Sequence, residues 1–302
     1  PTEVGVICDN GDGTCSNDTA TGLDAASSVT VAGRYAYVAS LFDDALAIID
    51  VSDPTNPTEV GVICDNGDGT CSNDTATGLN GAWSVTVAGR YAYVASQLDD
   101  ALAIIDVSDP TNPTEVGVIC DSGSTCSNDT ATGLDNALSV TVAGRYAYVA
   151  GYFDDALAII DVSDPANPTE VGVICDDEGT TCSNNTATGL DGALSVTVAG
   201  RYAYVASVSD DALAIIDLGG AEFSTLAAGT LETGLLNTES AAIDRLLTVG
   251  GGANIGTDAL IGGALTISGS ASSSRLTDMT TPSLTVTGGS ITFGTTSTST
   301  TR

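Results

Sequence analysis

The sequence predicts an all-β fold of four repeated units with a Gly/Ser/Thr-rich β segment behind them, and three observations predict it. The stretch PTEVGVIC stands at 1–8, 57–64, 113–120 and 168–175, so the chain repeats in steps of 56, 56 and 55 residues. Apolar residues within each unit alternate or run in short β-branched stretches, and nothing in 1–218 has a helical period. Counting the opening stretch with the last unit, every unit has four strands.

The strands follow one another in a fixed order. Strand A, SVTVAG (28–33), alternates and stops at a Gly turn; strand B, RYAYVAS (34–40), follows at once, rich in Tyr and Val. Strand C, ALAIIDVSD (45–53), is an apolar β-branched run ended by Pro54, and strand D is PTEVGVIC (57–64). Four-stranded antiparallel units repeated at this length predict the blades of a β-propeller. The last unit supplies A, B and C over 195–217, and then the pattern stops at LGG. Residues 1–8 are therefore expected to pair beside the last strand C and close a four-bladed ring, which removes two exposed sheet edges; the rival reading is an open array, one slice of a longer protein. The chain opens inside a repeat, at Pro1, as a processed chain or a fragment of a longer protein would.

The run GRYAYVAS…DDALAIIDVSDPTNPTEVG resembles the LVIVD-repeat family of bacterial and archaeal surface proteins, with LAIID at 46–50, 102–106, 157–161 and 213–217 in the place that names the family. The resemblance covers 1–218 and implies propeller blades and a surface location. An inserted loop, CDNGDGTCSNDTATGLDAA, departs from the family pattern.

Eight Cys fall in four close pairs, Cys8/Cys15, Cys64/Cys71, Cys120/Cys126 and Cys175/Cys182. The third unit is one residue shorter, and the loss lies between its two Cys, which a closed local loop absorbs without disturbing anything outside it. Each such ring contributes roughly 2–3 kcal/mol by chain-entropy arithmetic. Zinc fits poorly, since the spacing is long and the chain has no His. Disulfides imply an oxidising place: extracellular, periplasmic, cell-surface or virion.

Against seven Arg and no Lys stand 39 Asp and Glu, for a net charge of −32. Such a surface repels nucleic acid and anionic membrane and attracts cations. No apolar run approaches the ~18–20 residues of a transmembrane helix, so no membrane insertion is expected. With neither His nor Lys, the usual general bases and amine nucleophiles are missing. Paired carboxylates serve glycoside hydrolysis only in unlike environments, and fourfold copies give like ones. No residue is assigned a catalytic role.

Strand parity puts the A–B and C–D turns on one face and the B–C and D–A loops on the other. The first face is constant: AGR recurs four times, and DVSDPTNP changes once, at Ala166. The second varies and carries large apolar residues, so Phe42, Trp83, Leu98, Tyr152 and Phe153 are the candidate ligand-binding set. The acidic loops admit two readings. Asp9 and Asp12, with Asp65 and Asp68, stand in DNGDGT, where plain Asx and Gly turns compete with weak calcium binding. The pairs Asp43/Asp44 and Asp99/Asp100, with their counterparts in later units, could ring the same face and hold cations weakly. Asn17, Asn73, Asn128 and Asn184 head N-glycosylation sequons, usable where the host glycosylates.

Residues 219–302 change composition to Gly, Ser, Thr and Ala. NTESAAIDRLLTVGG (237–251) predicts one short helix with Ile243, Leu246 and Leu247 on one face. The following β-runs between Gly pairs resemble segments of phage tail fibres and bacterial surface fibres, which implies a β-rich stalk and oligomerisation or fibre formation through 219–302. The function expected is a non-catalytic extracellular or cell-surface module for attachment or assembly, with a cell-surface, glycan or protein ligand. The alternatives are a virion tail-fibre component and a cation-dependent glycan-binding lectin; calcium is the one cofactor considered.

Overall fold

The computed structural model describes residues 1–9, 15, 17–65, 71–121, 126–176, 182 and 184–218. All belong to the first of two units, Pro1–Ala227. The expected stalk and its helix at 237–251 lie outside the described residues, among which none is helical.

Strands A to D of each repeat pair antiparallel in that order, the described part of the fourth repeat stopping at C. The first blade is β1 (Ala26–Ala32), β2 (Tyr35–Ser40), β3 (Ala45–Asp50) and β4 (Thr58–Cys64). The second is β5 (Ala82–Ala88), β6 (Tyr91–Ser96), β7 (Ala101–Asp106) and β8 (Thr114–Asp121), with β9 (Asp129–Ala131) lying parallel along β8. The third is β10 (Ala137–Ala143), β11 (Tyr146–Gly151), β12 (Ala156–Asp161) and β13 (Thr169–Cys175), and the fourth is β14 (Ala193–Ala199), β15 (Tyr202–Ser207) and β16 (Ala212–Asp217). Ala32 pairs with Tyr35, so Gly33 and Arg34 make a two-residue hairpin turn, with Gly33 at a φ of 63° that a side chain would resist. In the B–C turn the demanding place falls to Asp44 at a φ of 50°, which Asp tolerates through local hydrogen bonding.

Blades pack face to face, and each core belongs to two of them. Tyr37, Leu46, Ile48 and Ile63 of the first blade meet Leu79, Val85, Val94 and Ile105 of the second. The same set, Tyr93, Leu102, Ile104 and Ile119, meets Leu134, Val140, Val149 and Ile160, and Tyr148 and Leu157 meet Leu190, Val196 and Val205.

Among the described residues, the ring expected from strand counting is left open. Residues 1–7 form no strand, and β16 has no fourth partner in its sheet among the described residues. Val29 is 63% exposed while its equivalents Val85, Val140 and Val196 are 5%, 6% and 6% exposed. At the other end Leu213 and Ile215 are 64% and 60% exposed, whereas Leu46, Ile48, Leu102 and Ile104 are fully buried. The opening segment does take a D-strand seat on the first blade: Gly5 lies against Pro54 as Gly61 lies against Pro110, and Ile7 packs under Ala47 and Ile49. Among the described residues, no strand of the last blade pairs with it. Strand number does not decide closure; the rotation between blades does, and that is set by side-chain packing between sheets.

The four cysteine pairs are joined as expected, Cys8–Cys15, Cys64–Cys71, Cys120–Cys126 and Cys175–Cys182, with Cα–Cα distances of 6.4, 6.4, 6.3 and 6.3 Å. These fall within the range a disulfide spans.

Candidate functional site

The B–C turn and the loop before strand A are tied into one surface. The amides of Leu41 and Phe42 donate to the carbonyls of Ala25 and Asp24, and those of Gln97 and Leu98 to Gly81 and Asn80. Tyr152 and Phe153 repeat this on Asn136 and Asp135. The two variable loop sets therefore do share a face, held by backbone hydrogen bonds. Phe42, Leu98 and Phe153 occupy one turn position in three successive blades, and all three are exposed. Each is followed by two Asp.

The other two candidates sit differently. Trp83 is not on a loop tip but inside β5, half-buried, because the strand begins one residue before it. Its carbonyl accepts the Ser27 hydroxyl at 2.8 Å. Tyr152 is half-buried and meets the Phe153 ring edge-on at 5.3 Å.

The carboxylates expected to hold cations have another occupation. Asp9 accepts the Leu23 amide, Asp43 that of Asp24, Asp44 that of Gly81, Asp65 that of Leu79, Asp99 that of Asn80, and Asp100 that of Asn136. Asp44 and Asp100 reach across to the next blade, so these side chains pin adjacent blades together. Among the described residues no three His, Cys, Asp or Glu side chains converge as metal ligands. Asp12 and Asp68 lie outside the described residues.

Crowding has an electrostatic consequence. Burial lifts the Asp99 carboxyl to about 7 against the lowering pull of the Asn80 amide, with Asp65 adding repulsion. Asp154 is lifted to about 7 by burial and by Asp121 in the same way. An ordinary unfolded-chain Asp titrates near 3.8. Between those values the folded chain holds protons that the unfolded chain has released, so stability falls as pH rises through about 7. Both carboxyls keep part of their surface in water, and screening holds the effect to about 1 kcal/mol. The unfolding midpoint should be about 2–4 °C higher at pH 5 than at pH 8. Asp99→Asn with Asp154→Asn should flatten that slope in a calorimetric pH series, and an unchanged slope would place the titration elsewhere.

The opposite face is less inert than its turns suggest. Arg34, Arg90, Arg145 and Arg201 pair with Asp50, Asp106, Asp161 and Asp217. Each guanidinium lies over the Tyr that follows it, 5.1–5.3 Å from the ring centre. Hydrogen bonds from Arg34 and Arg90 hold the Asp50 and Asp106 carboxyls well below the usual carboxylate range. Constancy of AGR thus reflects an ion pair with strand C as well as turn chemistry; the fixed Arg–Tyr and distant Asp were the signal.

The sequons also acquire a structural role. The side-chain amide nitrogens of Asn17, Asn73 and Asn128, the atoms a glycan would occupy, donate at 2.9 Å to the carbonyls of Pro57, Pro113 and Pro168. A glycan at these three would take one of the two hydrogens of that nitrogen and crowd the bond. Asn184 alone of the four is exposed.

The LVIVD repeat family matches residues 25–65, 81–121, 135–176 and 192–226, together more than half of the chain. Among solved structures, the chain is similar to the computationally designed Ika4 protein at 6% identity and a TM-score of 0.43, over 65% of this chain and 92% of that one. It is similar to the periplasmic gluconolactonase PpgL of Pseudomonas aeruginosa at 15% identity and a TM-score of 0.46, over 63% and 49%. The β-propeller domain of Myceliophteria thermophila Cps50 matches at 11% identity and a TM-score of 0.44, over 64% and 54%. The chain thus spans about half the length of the last two. No curated protein sequence matches.

Proposed function

The chain belongs to the LVIVD repeat family, and we propose that it is an extracellular, non-catalytic module that attaches to a surface ligand through the B–C face of its blades. One observation carries the reading: the same turn position presents Phe42, Leu98 and Phe153 to solvent in three successive blades, on turns held by backbone hydrogen bonds. Exposed large side chains on rigid loops are favoured contact residues. The disulfides support an oxidising location. The gluconolactonase likeness bears on fold alone, and a chain with neither His nor Lys offers the usual acid–base chemistry little to work with.

The test is substitution of Phe42, Leu98 and Phe153 by Ser, singly and together, followed by binding to cells and to a glycan array with and without calcium. Attachment should weaken by ~1–3 kcal/mol at each residue that matters. Thermal stability should hardly move, because all three are exposed. Trp83 is left alone, since its loss would disturb β5. Asn56→Ala and Asn112→Ala on the opposite face should bind as the parent does. Equal loss from both sets, or none from either, would leave the chain a spacer without a ligand of its own. Loss of glycan binding on calcium removal would instead favour the lectin reading.

A further inference from the structure

The two ends of the blade array are the two halves of one interface. In each internal junction, Tyr, Leu and Ile of one blade cover Val, Val and Ile of the next. The last blade keeps that first set, but Leu213 and Ile215 face solvent; the first blade keeps the second set, but Val29 and Val31 face solvent. Hydrogen-bonding groups are divided in the same way. Asn73 reaches Pro113 and Thr77 reaches Glu115, on the D strand of the blade they lead into. Asn184 and Thr188 hold those places in the last repeat, where the described residues, which stop at Leu218, include no D strand. Residues 1–8, meanwhile, have the D-strand sequence and a D-strand seat on the first blade, but no strand C beside them.

We propose that a second copy of this chain completes both ends, head to tail. Residues 1–7 of one copy add to β16 of the other in the register that β4 takes on β3, where Leu46 faces Ile63, Ala47 faces Val62 and Ile48 faces Gly61. Leu213, Ala214 and Ile215 then face Ile7, Val6 and Gly5. The same step lays the first blade of the incoming copy over Tyr204, Leu213 and Ile215. Pro1 and Glu3 come within reach of Asn184 and Thr188. Occupancy by this chain, rather than by an unrelated partner, follows from continuity: three internal junctions already show that these two surfaces fit each other. A head-to-tail contact closes into a ring or propagates, according to its rotation. The charge of −32 per chain opposes association, so the assembly should tighten with salt.

Sedimentation of the full chain at about 0.15 M and about 0.5 M salt tests this. The expected mass is an integral multiple of the chain mass, with a larger assembled fraction at the higher salt. Val29→Arg and Leu213→Asp alter exposed residues at opposite ends and leave the internal junctions intact. Each alone should weaken association at least about tenfold, a loss of about 1.4 kcal/mol. Mixed in equal amounts, the two variants have one unaltered junction between them and should form a one-to-one dimer that grows no further. Val31→Arg and Ile215→Asp stand in if either variant fails to fold. A single-chain mass at both salts overturns the proposal, as does an assembly that persists in both variants or a mixture that stays monomeric.

Discussion

Leu102→Ala should lower the free energy of unfolding by about 2–5 kcal/mol, while Leu213→Ala should change it by less than about 0.5 kcal/mol. Both residues are the Leu of ALAIID in strand C. Leu102 is fully buried between the second and third blades, beside Val140 and Val149, and truncation leaves a cavity that two sheets hold open. Leu213 points the same way from β16 but has no blade beyond it among the described residues. The comparison belongs at a dilution where the chain is a single copy, by urea unfolding followed in the far ultraviolet. The change in midpoint should appear for Leu102→Ala without a change in slope. Equal losses at the two positions would mean that the last blade is covered, and the array closed, in the monomer.

Much of this was legible in the sequence because it is local or periodic. Strand order, hairpin turns, cysteine pairing and the sharing of one face by the variable loops all follow from residues within one repeat. What escaped depends on contacts between repeats. Leu46 and Leu213 sit in the same pentapeptide, LAIID, and nothing near either one says that the first is buried and the second exposed. Asn17 reads as a glycan acceptor until the Pro57 carbonyl, 40 residues on, is found against its amide. Asp44 and Asp100 read as cation ligands by their pairing, yet they cap Gly81 and Asn136 in the following blade. Trp83 reads as a loop residue because its neighbours vary, but β5 starts at Ala82 and carries it into the sheet. In each case side-chain type was visible and the partner was not.

Identical glycines give the sharpest case of that dependence. Gly61, Gly117 and Gly172 occupy the same place in TEVGVIC, and none has a positive φ, so the backbone itself would accept alanine. A Cβ on Gly117 would fall on the Pro165 carbonyl oxygen, with the Pro165 carbon and Pro168 Cδ each only 3.2 Å away. Gly61 meets Pro110 and Pro113 in the same manner. These are the C–D turns of the next blade, and a backbone carbonyl cannot step aside as a flexible side chain can. Gly117→Ala should therefore force two blades apart and cost about 3 kcal/mol or more, which is about 6 °C or more in unfolding midpoint. Gly172 has nothing nearer than Ile159 Cδ1 at 3.8 Å, and the last repeat has LGG where the others have VSDPTNP or VSDPANP. Gly172→Ala should be neutral, or stabilising by about 0.4–1 kcal/mol through the unfolded chain. If the two substitutions cost the same, the glycine serves its own strand and not its neighbour, and the close seating of each D strand on the following blade is not what holds the array together. Gly5, pressed on Pro54 in the same way, extends the test to the opening segment. Gly5→Ala should unseat residues 1–7 and lower the midpoint less than Gly117→Ala does, since those residues belong to no sheet among the described residues but do place Ile7 on Ala47 and Ile49.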